Sequence, residues 1–233
     1  MNINSHSIDF VKKISLDFKK VSRNDYETLY PSSFQLFEQL KRQLNDGVFD
    51  SGLVKECFDN FPYMEMRFIE DEFLDNVNYI MKLKQNITNA LSIGCGTLVY
   101  ENFFTQTNII KRIKGVDISK GLIDIGTKYF GENERINVEC TDFMNFKLNE
   151  YYDFVYCLSA IHWFSSPHAA LEKLLKSTPH RPLIYLTYFD EFFGRKIDFK
   201  NQLEDYKYEI SKHYFKNHHT GKLEYINRLI INN

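Results

Sequence analysis

A short apolar run followed by two closely spaced glycines constrains this chain most. Residues 90–101 read A-L-S-I-G-C-G-T-L-V-Y-E; the first four predict a buried strand, and a helical pattern resumes at Leu98. Gly94 and Gly96 permit backbone angles closed to other residues and let a ligand approach the main chain. The following helix would direct unpaired N–H groups at that turn. The stretch therefore predicts a strand–turn–helix unit suited to a nucleotide.

The pattern of apolar and polar residues from residue 87 onward indicates an α/β fold. Short apolar runs alternate with amphipathic stretches, which is typical of a parallel sheet with crossover helices. Right-handed crossovers place those helices on both faces of the sheet. We predict strands near 90–94, 113–117, 136–139, 152–158 and 183–187, with helices near 98–106, 119–129 and 168–177.

The two ends of the chain have different patterns. Residues 1–85 show helical periodicity without strand alternation and predict helices over 8–21, from Ser32 (with Gln35 as a capping box) to Gly47, and over 67–84. This N-terminal segment is interpreted either as a packed helical segment or as a lid over the site, and the two interpretations are compatible. After the fifth strand we predict a helix over 199–215 and one final strand over 223–231. The basic and aromatic run 206–222 is interpreted as a solvated surface.

Composition excludes several classes of protein. The 233 residues carry 29 Lys and Arg against 31 Asp and Glu, a net charge of −2, which argues against a protein bound along the phosphate backbone of nucleic acid but is compatible with a local basic patch. Four scattered cysteines without C-x-x-C predict reduced thiols. Because we find no signal peptide and no membrane-length apolar run, we expect a cytoplasmic protein without a membrane partner. No metal site is assigned, since the adjacent His218 and His219 diverge on regular structure.

Two acidic residues follow predicted strands. Asp117 ends the second strand, where doubly wound folds place an acidic residue that accepts hydrogen bonds from ribose hydroxyls. The alternative is that Asp117 caps the helix starting near Ser119. After the third strand, the Asp142 carboxylate is able to accept from an adenine amino group while Phe143, with Ile118 opposite, covers the base. The alternative there is a loop carboxylate beside a core aromatic ring.

The fourth strand opens into Ser159-Ala160-Ile161-His162-Trp163-Phe164. Ligands of doubly wound sheets bind beyond the carboxyl ends of the strands, where the strand order reverses. That point lies between the first and fourth strands, so we expect His162 and Trp163 to face the crevice. His162 would take a proton from a hydroxyl or amine, or position a carboxylate.

These motifs, in this order and spacing, resemble those of class I S-adenosylmethionine-dependent methyltransferases. The resemblance covers residues 88–190 and rests on L-S-I-G-C-G-T, G-V-D-I-S, T-D-F and Y-D-F-V-Y-C-L-S-A-I-H-W-F. The A-I-H-W-F step is similar to that of small-molecule carboxyl methyltransferases of the trans-aconitate and malonyl-thioester kind. The resemblance implies a Rossmann-like sheet of order 3-2-1-4-5, with a possible short C-terminal strand. It also implies S-adenosylmethionine as cofactor and S-adenosylhomocysteine as product. Residues 86–233 would form the cofactor-binding domain, with 1–85 packing on or capping the site.

The resemblance also implies roles for individual residues. The glycine turn would line the methionine portion of the cofactor, Asp117 would hold the ribose and Asp142 the adenine. We expect His162 to lie closest to the transferred methyl, and Trp163 and Tyr188 to contact the substrate, with cation–π attraction available to a sulfonium. The full set of expected cofactor-binding residues is Gly94, Cys95, Gly96, Asp117, Ile118, Asp142, Phe143 and Leu158.

The sequence thus predicts a methyltransferase that modifies a small molecule by O- or N-methylation. The chain departs from the family pattern at Ser92, where the family often has an acidic residue, and at Leu98, where it often has a third glycine. Leu98 and a C-terminus that reads as too short for the usual last two strands favour an alternative, a catalytically inactive binding or scaffold protein. A further alternative is a protein or RNA methyltransferase that docks its substrate on 206–222. An NAD-dependent dehydrogenase is disfavoured, because the turn lacks G-x-G-x-x-G spacing.

Overall fold

A seven-stranded sheet forms the centre of the computed structural model, which describes residues 9–10, 12–14, 27–60, 70–83, 86–177, 182–216 and 223–232. The strands are β1 Ile87–Ile93, β2 Ile110–Asp117, β3 Ile136–Cys140, β4 Phe154–Leu158, β5 Leu183–Tyr188, β6 Glu191–Phe192, β7 Arg195–Lys196, β8 Lys207–Lys216 and β9 Leu223–Asn232. The sheet order is β3-β2-β1-β4-β5-β9-β8, and β6 and β7 pair separately. Strands β1 to β5 are parallel, whereas β9 runs antiparallel to both β5 and β8. The predicted Rossmann-like order 3-2-1-4-5 is confirmed.

Helices flank this sheet. They are α1 Pro31–Asn45, α2 Ser51–Asp59, α3 Glu70–Leu83, α4 Val99–Gln106, α5 Lys120–Phe130 and α6 Pro167–Ser177. The three predicted crossover helices correspond to α4, α5 and α6, so the predicted crossover pattern is confirmed. Within the described part of the chain, no helix has the length and apolar character needed to cross a membrane.

Both faces of the sheet are apolar. On β4, Val155 and Cys157 belong to one buried cluster, whereas Phe154 and Tyr156 belong to another on the opposite face. Helix α6 contributes to the first cluster, and α3 and α4 contribute to the second. Successive residues of a strand point to opposite faces, so a strand covered on both sides reads as a continuous apolar run. This burial explains why the central strands are visible in the sequence.

The C-terminal prediction is partly wrong. The stretch predicted as a helix over 199–215 instead forms a short 3-10 turn, Lys200–Gln202, and the strand β8. Residues 208–211 read Tyr-Glu-Ile-Ser, an alternation of period two that indicates a strand. The final strand is present as β9, and together with β8 it completes the sheet. The expectation that the C-terminus is too short for two further strands is therefore wrong.

The N-terminal helices begin differently from the prediction. Helix α1 starts at Pro31 and has no side-chain cap, so the capping box at Ser32 does not form. Proline suits the first helical position because its missing N–H would be unpaired there. Helix α2 was not predicted; its cap is Asp50, whose carboxylate accepts from the N–H groups of Gly52 (2.8 Å) and Leu53 (3.1 Å). The helix predicted over 8–21 lies largely outside the described residues.

Candidate active site

The glycine turn brings the end of β1 against the segment that follows β4. Gly94 and Gly96 have φ values of +69° and +51°, a region that favours glycine. A Cβ atom on Gly94 would lie 2.3 Å from the Cβ of Ala160. Since that separation is far below van der Waals contact, only glycine allows the two segments to approach this closely. The turn therefore lies at the switch point between β1 and β4, as the sequence predicts.

Asp117 organises the same turn from the end of β2. Its Oδ2 accepts from the N–H of Gly96 at 2.8 Å, and its Oδ1 accepts from the N–H of Ser119 at 2.8 Å. The cap of α5 is Ser119, whose hydroxyl accepts from the Leu122 N–H at 3.1 Å, so the alternative that Asp117 is the cap is wrong. Burial raises the pKa of Asp117 to about 6. Each carboxylate oxygen retains a second lone-pair direction for a ligand.

A cavity that is partly open to solvent lies beyond the carboxyl ends of the central strands. It brings together residues that are far apart in the chain. The predicted site residues that line it are Gly94, Gly96, Asp117, Ile118, Asp142, Phe143, Leu158 and Trp163.

Three predicted site residues lie outside the cavity wall. Cys95 is buried beneath the turn, with its Sγ 2.9 Å from where a Cβ on Gly115 would lie. Tyr188 is buried in the core, with its ring 4.8 Å from that of Phe199. His162 is 0% exposed. The roles predicted for these three residues stay predictions.

The orientation of His162 differs from the expectation. It lies in the 3-10 turn Ile161–Trp163, where consecutive side chains diverge, so Trp163 lines the cavity while His162 points into the protein. The imidazole ring packs 4.4 Å from the ring of Phe192 and 5.0 Å from that of Phe189. The ring that we expected at the crevice instead supports the wall from behind.

A lysine that the sequence analysis did not identify fixes the Asp142 loop. Asp142 Oδ1 accepts from the Met144 N–H at 2.8 Å. The Lys173 ammonium donates to the carbonyls of Phe143 (2.7 Å), Met144 (2.8 Å) and Phe146 (2.6 Å), and it lies 4.9 Å from the Phe143 ring centroid. Burial lowers the pKa of Lys173. The loop that lines one end of the cavity is therefore held from α6.

The unpredicted helix α2 supplies another wall of the cavity. Val54 and Phe58 line it, and the Phe58 ring meets that of Trp163 edge-on at 5.1 Å. Asp59 Oδ1 accepts from the Ser119 hydroxyl (2.7 Å) and from the Gly121 N–H (2.8 Å), which pins α2 to the start of α5. Two sequence signals mark this helix, the cap residue at position 50 and apolar residues at 53, 54, 57 and 58.

The β6–β7 hairpin supports the wall that carries Trp163. Its two turn residues, Phe193 and Gly194, have φ values of +48° and +74°, as a tight hairpin turn requires. Phe192 packs 4.5 Å from the Trp163 ring. Arg195 donates to the carbonyls of His162 and Phe164, the latter at 2.8 Å. The guanidinium thus holds the backbone of the turn after β4.

A buried carboxyl lies behind the glycine turn. The Oε1 of Glu101, on α4, accepts from the hydroxyls of Ser92 (2.6 Å) and Tyr156 (3.0 Å). Within the described residues its Oε2 is buried without a hydrogen-bond partner. Burial raises the pKa of Glu101 to about 7. A carboxyl from the helix therefore contacts the serine that stands where the related family often has an acidic residue.

Leu98 stands where the family that the sequence resembles often has a third glycine, and its side chain does not line the cavity. It precedes α4 with φ +59° and ψ +22°, the left-handed region, and its side chain is 5% exposed. Glycine suits this position because left-handed backbone costs other residues about 1–2 kcal/mol. Leu98 does not line the cavity, so its side chain does not narrow the ligand site.

The left-handed backbone at Leu98 predicts that a glycine variant is more stable than an alanine variant, which is the reverse of their order in an ordinary helix. In an ordinary helix, Ala is more stable than Gly by about 0.5–1 kcal/mol. At φ +59° we expect Leu98→Gly to be more stable than Leu98→Ala by about 1 kcal/mol, because Gly removes the left-handed strain while both variants lose the buried side chain. Urea denaturation of the two variants measures this difference. A more stable alanine variant would contradict the strained geometry.

A Rossmann-like sheet with a ligand cavity at the β1/β4 switch point is the architecture of nucleotide-cofactor-binding α/β domains. Among known proteins, residues 91–178 match a family described as methyltransferase domain. A malonyl-[acyl-carrier protein] O-methyltransferase of Acetivibrio thermocellus is 23% identical over 126 residues. That match covers 54% of this chain and 44% of the relative, so the chain spans less than half the length of the curated relative.

Solved structures confirm the fold. The N-methyltransferase NodS from Bradyrhizobium japonicum WM9, in complex with S-adenosylhomocysteine, matches with a TM-score of 0.59 at 14% identity, over 84% of this chain and 98% of that one. The plantazolicin methyltransferase BpumL, in complex with S-adenosylhomocysteine, matches with a TM-score of 0.54 at 17% identity, over 86% and 99% of the two chains. Residues 91–178 thus match a methyltransferase domain, and the chain shares its fold with these solved methyltransferases.

Proposed function

We propose that this domain transfers a methyl group from S-adenosylmethionine to a small-molecule acceptor, by O- or N-methylation. One observation carries the proposal. A single cavity joins two carboxylates suited to a nucleoside, Asp117 and Asp142, to an aromatic wall that includes Phe58, Trp163 and Phe164.

The carboxylate side of the cavity suits the nucleoside half of the donor. Asp117 uses one lone pair of each oxygen for main-chain N–H groups and is able to accept from ribose hydroxyls with the others. Asp142 is held by its bond to the Met144 N–H and is able to accept from the adenine amino group. Ile118 and Phe143 line the same part of the cavity and provide apolar cover for the base.

The other side of the cavity suits an apolar acceptor of modest size. Phe49, Val54, Phe58, Trp163 and Phe164 all contribute to its lining. Walls from α2 and from the turn after β4 enclose this part, which favours a small molecule over the surface of a folded macromolecule. In a solved structure, the related fold of BpumL holds a pentazolic desmethylPZN analog together with S-adenosylhomocysteine. That complex supports a cavity of this type as an acceptor site.

Methyl transfer makes modest demands on the protein. S-adenosylmethionine supplies a methyl group that its sulfonium already activates; the acceptor forms the new bond to carbon as the carbon–sulfur bond breaks. The residues of this chain have to align the two molecules and exclude water. We propose that the part of the cavity wall that includes Trp163 aligns the two molecules and excludes water. His162, buried behind Trp163, would hold that part of the wall in place. A hydroxyl or amine acceptor must also lose a proton; because the predicted base, His162, lies behind the wall, we propose that this proton passes to solvent at the open side of the cavity.

Ligand binding and product formation test this proposal in turn. We expect S-adenosylhomocysteine to bind in calorimetry and to raise the melting temperature, because a ligand that prefers the folded state stabilises it. With labelled S-adenosylmethionine and fractionated cell extract, label should enter the low-molecular-weight fraction. Label in the protein or RNA fraction would instead support a macromolecular acceptor. Binding without label in any fraction would favour a scaffold, and absence of binding would refute the proposed function.

A further inference from the structure

The acceptor side of the cavity presents a wall of aromatic rings. The Phe58 and Trp163 rings meet at 5.1 Å between centroids, with an angle of 87° between their planes. The Phe164 ring lies 5.9 Å from that of Phe143, which lines the nucleoside side. Rings at right angles offer both a face and an edge to a flat ligand, and aromatic molecules prefer such contacts. The wall therefore suits a planar acceptor that lies beside the nucleoside.

The charged groups that line the cavity are negative. Among the described lining residues, the charged side chains are those of Asp117 and Asp142. Two basic residues near the wall, Lys173 and Arg195, donate to main-chain carbonyls of the loops after β3 and β4. Aromatic faces and carboxylates both attract positive charge. The cavity therefore favours a cationic group over a carboxylate, which would leave water without a partner cation.

Acceptor groups differ in what they require from this wall. A hydroxyl needs a base within reach of its proton, and the predicted base His162 is buried behind Trp163. A neutral nitrogen needs no base during transfer, because its lone pair attacks the methyl carbon and the nitrogen takes up the positive charge. Aromatic nitrogens keep a free lone pair at neutral pH, whereas alkylamines are protonated there. An aromatic nitrogen therefore fits the wall best.

We propose that the methyl acceptor is a planar, uncharged compound that is methylated on an aromatic amine or ring nitrogen. This inference rests on the proposed function and narrows it from O- or N-methylation to N-methylation. The nitrogen lone pair forms the new bond to the methyl carbon, and the electron pair of the breaking carbon–sulfur bond stays on sulfur. The positive charge thus moves from sulfur to nitrogen beside the same rings. A ring nitrogen stays cationic, and an amine releases its proton to solvent.

The labelled product distinguishes nitrogen from oxygen methylation. In the transfer assay with labelled S-adenosylmethionine and cell extract, the low-molecular-weight product should survive alkali, which cleaves methyl esters. Its fragmentation in mass spectrometry should place the methyl group on nitrogen. A labelled ether or ester would overturn this inference and leave the proposed function intact. Absence of label in every fraction would contradict the proposed transfer itself, and this inference with it.

Two probes with a similar bicyclic frame test the charge preference of the wall. N-methylquinolinium has the charge of an N-methylated product, and 1-naphthoate is an anion of similar size. In calorimetry with protein saturated with S-adenosylhomocysteine, the cation should bind about tenfold or more tightly than the anion. Equal affinities, tighter binding of the anion or no binding of the cation would overturn the inference. If S-adenosylhomocysteine does not bind, the proposed function fails first.

A variant of the wall separates charge recognition from simple apolar contact. Phe58→Leu removes one ring and keeps an apolar side chain, so it should weaken binding of N-methylquinolinium by about threefold or more. Quinoline, the uncharged counterpart, should lose less. Tyr214→Leu is the control, because this ring is exposed on β8 and does not line the cavity; it should bind both probes like the wild type. Equal losses for the two probes in Phe58→Leu would contradict recognition of the positive charge.

Discussion

Asp117→Ala is expected to weaken S-adenosylhomocysteine binding by about 10- to 100-fold. Hydrogen bonds to a charged group contribute about 1.5–3 kcal/mol, and each 1.4 kcal/mol is about tenfold in affinity. The structure adds a second effect, because Asp117 also accepts from the N–H groups of Gly96 and Ser119 at 2.8 Å. The variant leaves both donors unsatisfied, which costs about 1–3 kcal/mol of stability for each that stays buried. Calorimetry and urea denaturation measure the two effects separately.

An exposed acid on the neighbouring helix is the matched control for Asp117. Asp124 on α5 pairs with Lys120 at the surface, at 2.6 Å. Exposed pairs of this type contribute about 0–1 kcal/mol, so Asp124→Ala should change neither binding nor stability measurably. If Asp117→Ala melts at a lower temperature but binds with wild-type affinity, the role of Asp117 is to hold the turn alone.

The sequence predicts the central sheet well because its strands are buried on both faces. Each parallel strand is a compact apolar run ending in glycine or a polar residue, so β1 to β5 and their helices were found near their observed positions. The strand at the edge of the sheet is harder to predict from the sequence. Strand β8 is partly exposed: Tyr208 is 38% exposed whereas Phe215 is 4% exposed. Such mixed burial weakens the apolar pattern on which a strand prediction depends.

The sequence predicts a cavity-lining position where one motif fixes the residue, and it misses such a position where tertiary packing decides. Gly94, Asp117 and Asp142 follow directly from strand ends, and they line the cavity. The residues that were missed come from elements distant in the chain, such as Phe58 on α2 and Arg195 on β7. Which side chain of a turn faces a cavity also depends on tertiary packing, so the sequence placed the ring of His162 on the wrong side.

The Ser92 and Glu101 pair shows how a departure from a motif is accommodated in three dimensions. A serine at position 92 reads as the loss of an acidic residue. In the folded protein the Glu101 carboxyl accepts from the Ser92 hydroxyl at 2.6 Å, so a carboxyl is present beside that strand after all. Nine residues separate the two in sequence, but α4 folds back over β1. The serine at position 92 is therefore weak support for an inactive scaffold protein.

The second large expected effect is a pH dependence of the free energy of unfolding, which arises from Glu101. Burial raises its pKa from the ordinary value of 4.5 to about 7, with the nearby charge of Asp117 acting in the same direction, while the hydroxyls of Ser92 and Tyr156 oppose the rise. A raised pKa means that the folded state binds the proton more tightly than the unfolded state does. The resulting stabilisation is fully present below about pH 4.5 and is lost as the pH rises through about 7. At about 1.4 kcal/mol per pKa unit, the loss is about 3 kcal/mol.

Glu101→Gln is expected to remove this dependence. Glutamine stays neutral and keeps an oxygen for the hydroxyls of Ser92 and Tyr156, so its stability should not change with pH on this account. The difference in unfolding free energy between wild type and variant should therefore shift by about 3 kcal/mol in favour of the variant between pH 4.5 and pH 8. Urea denaturation at a series of pH values measures it, and all other titrating groups are shared by the two proteins. Glu172→Gln, at an exposed pair with Lys176, is the control and should follow the wild type. Parallel curves for wild type and Glu101→Gln would show that the buried carboxyl has the same pKa in the folded and unfolded states.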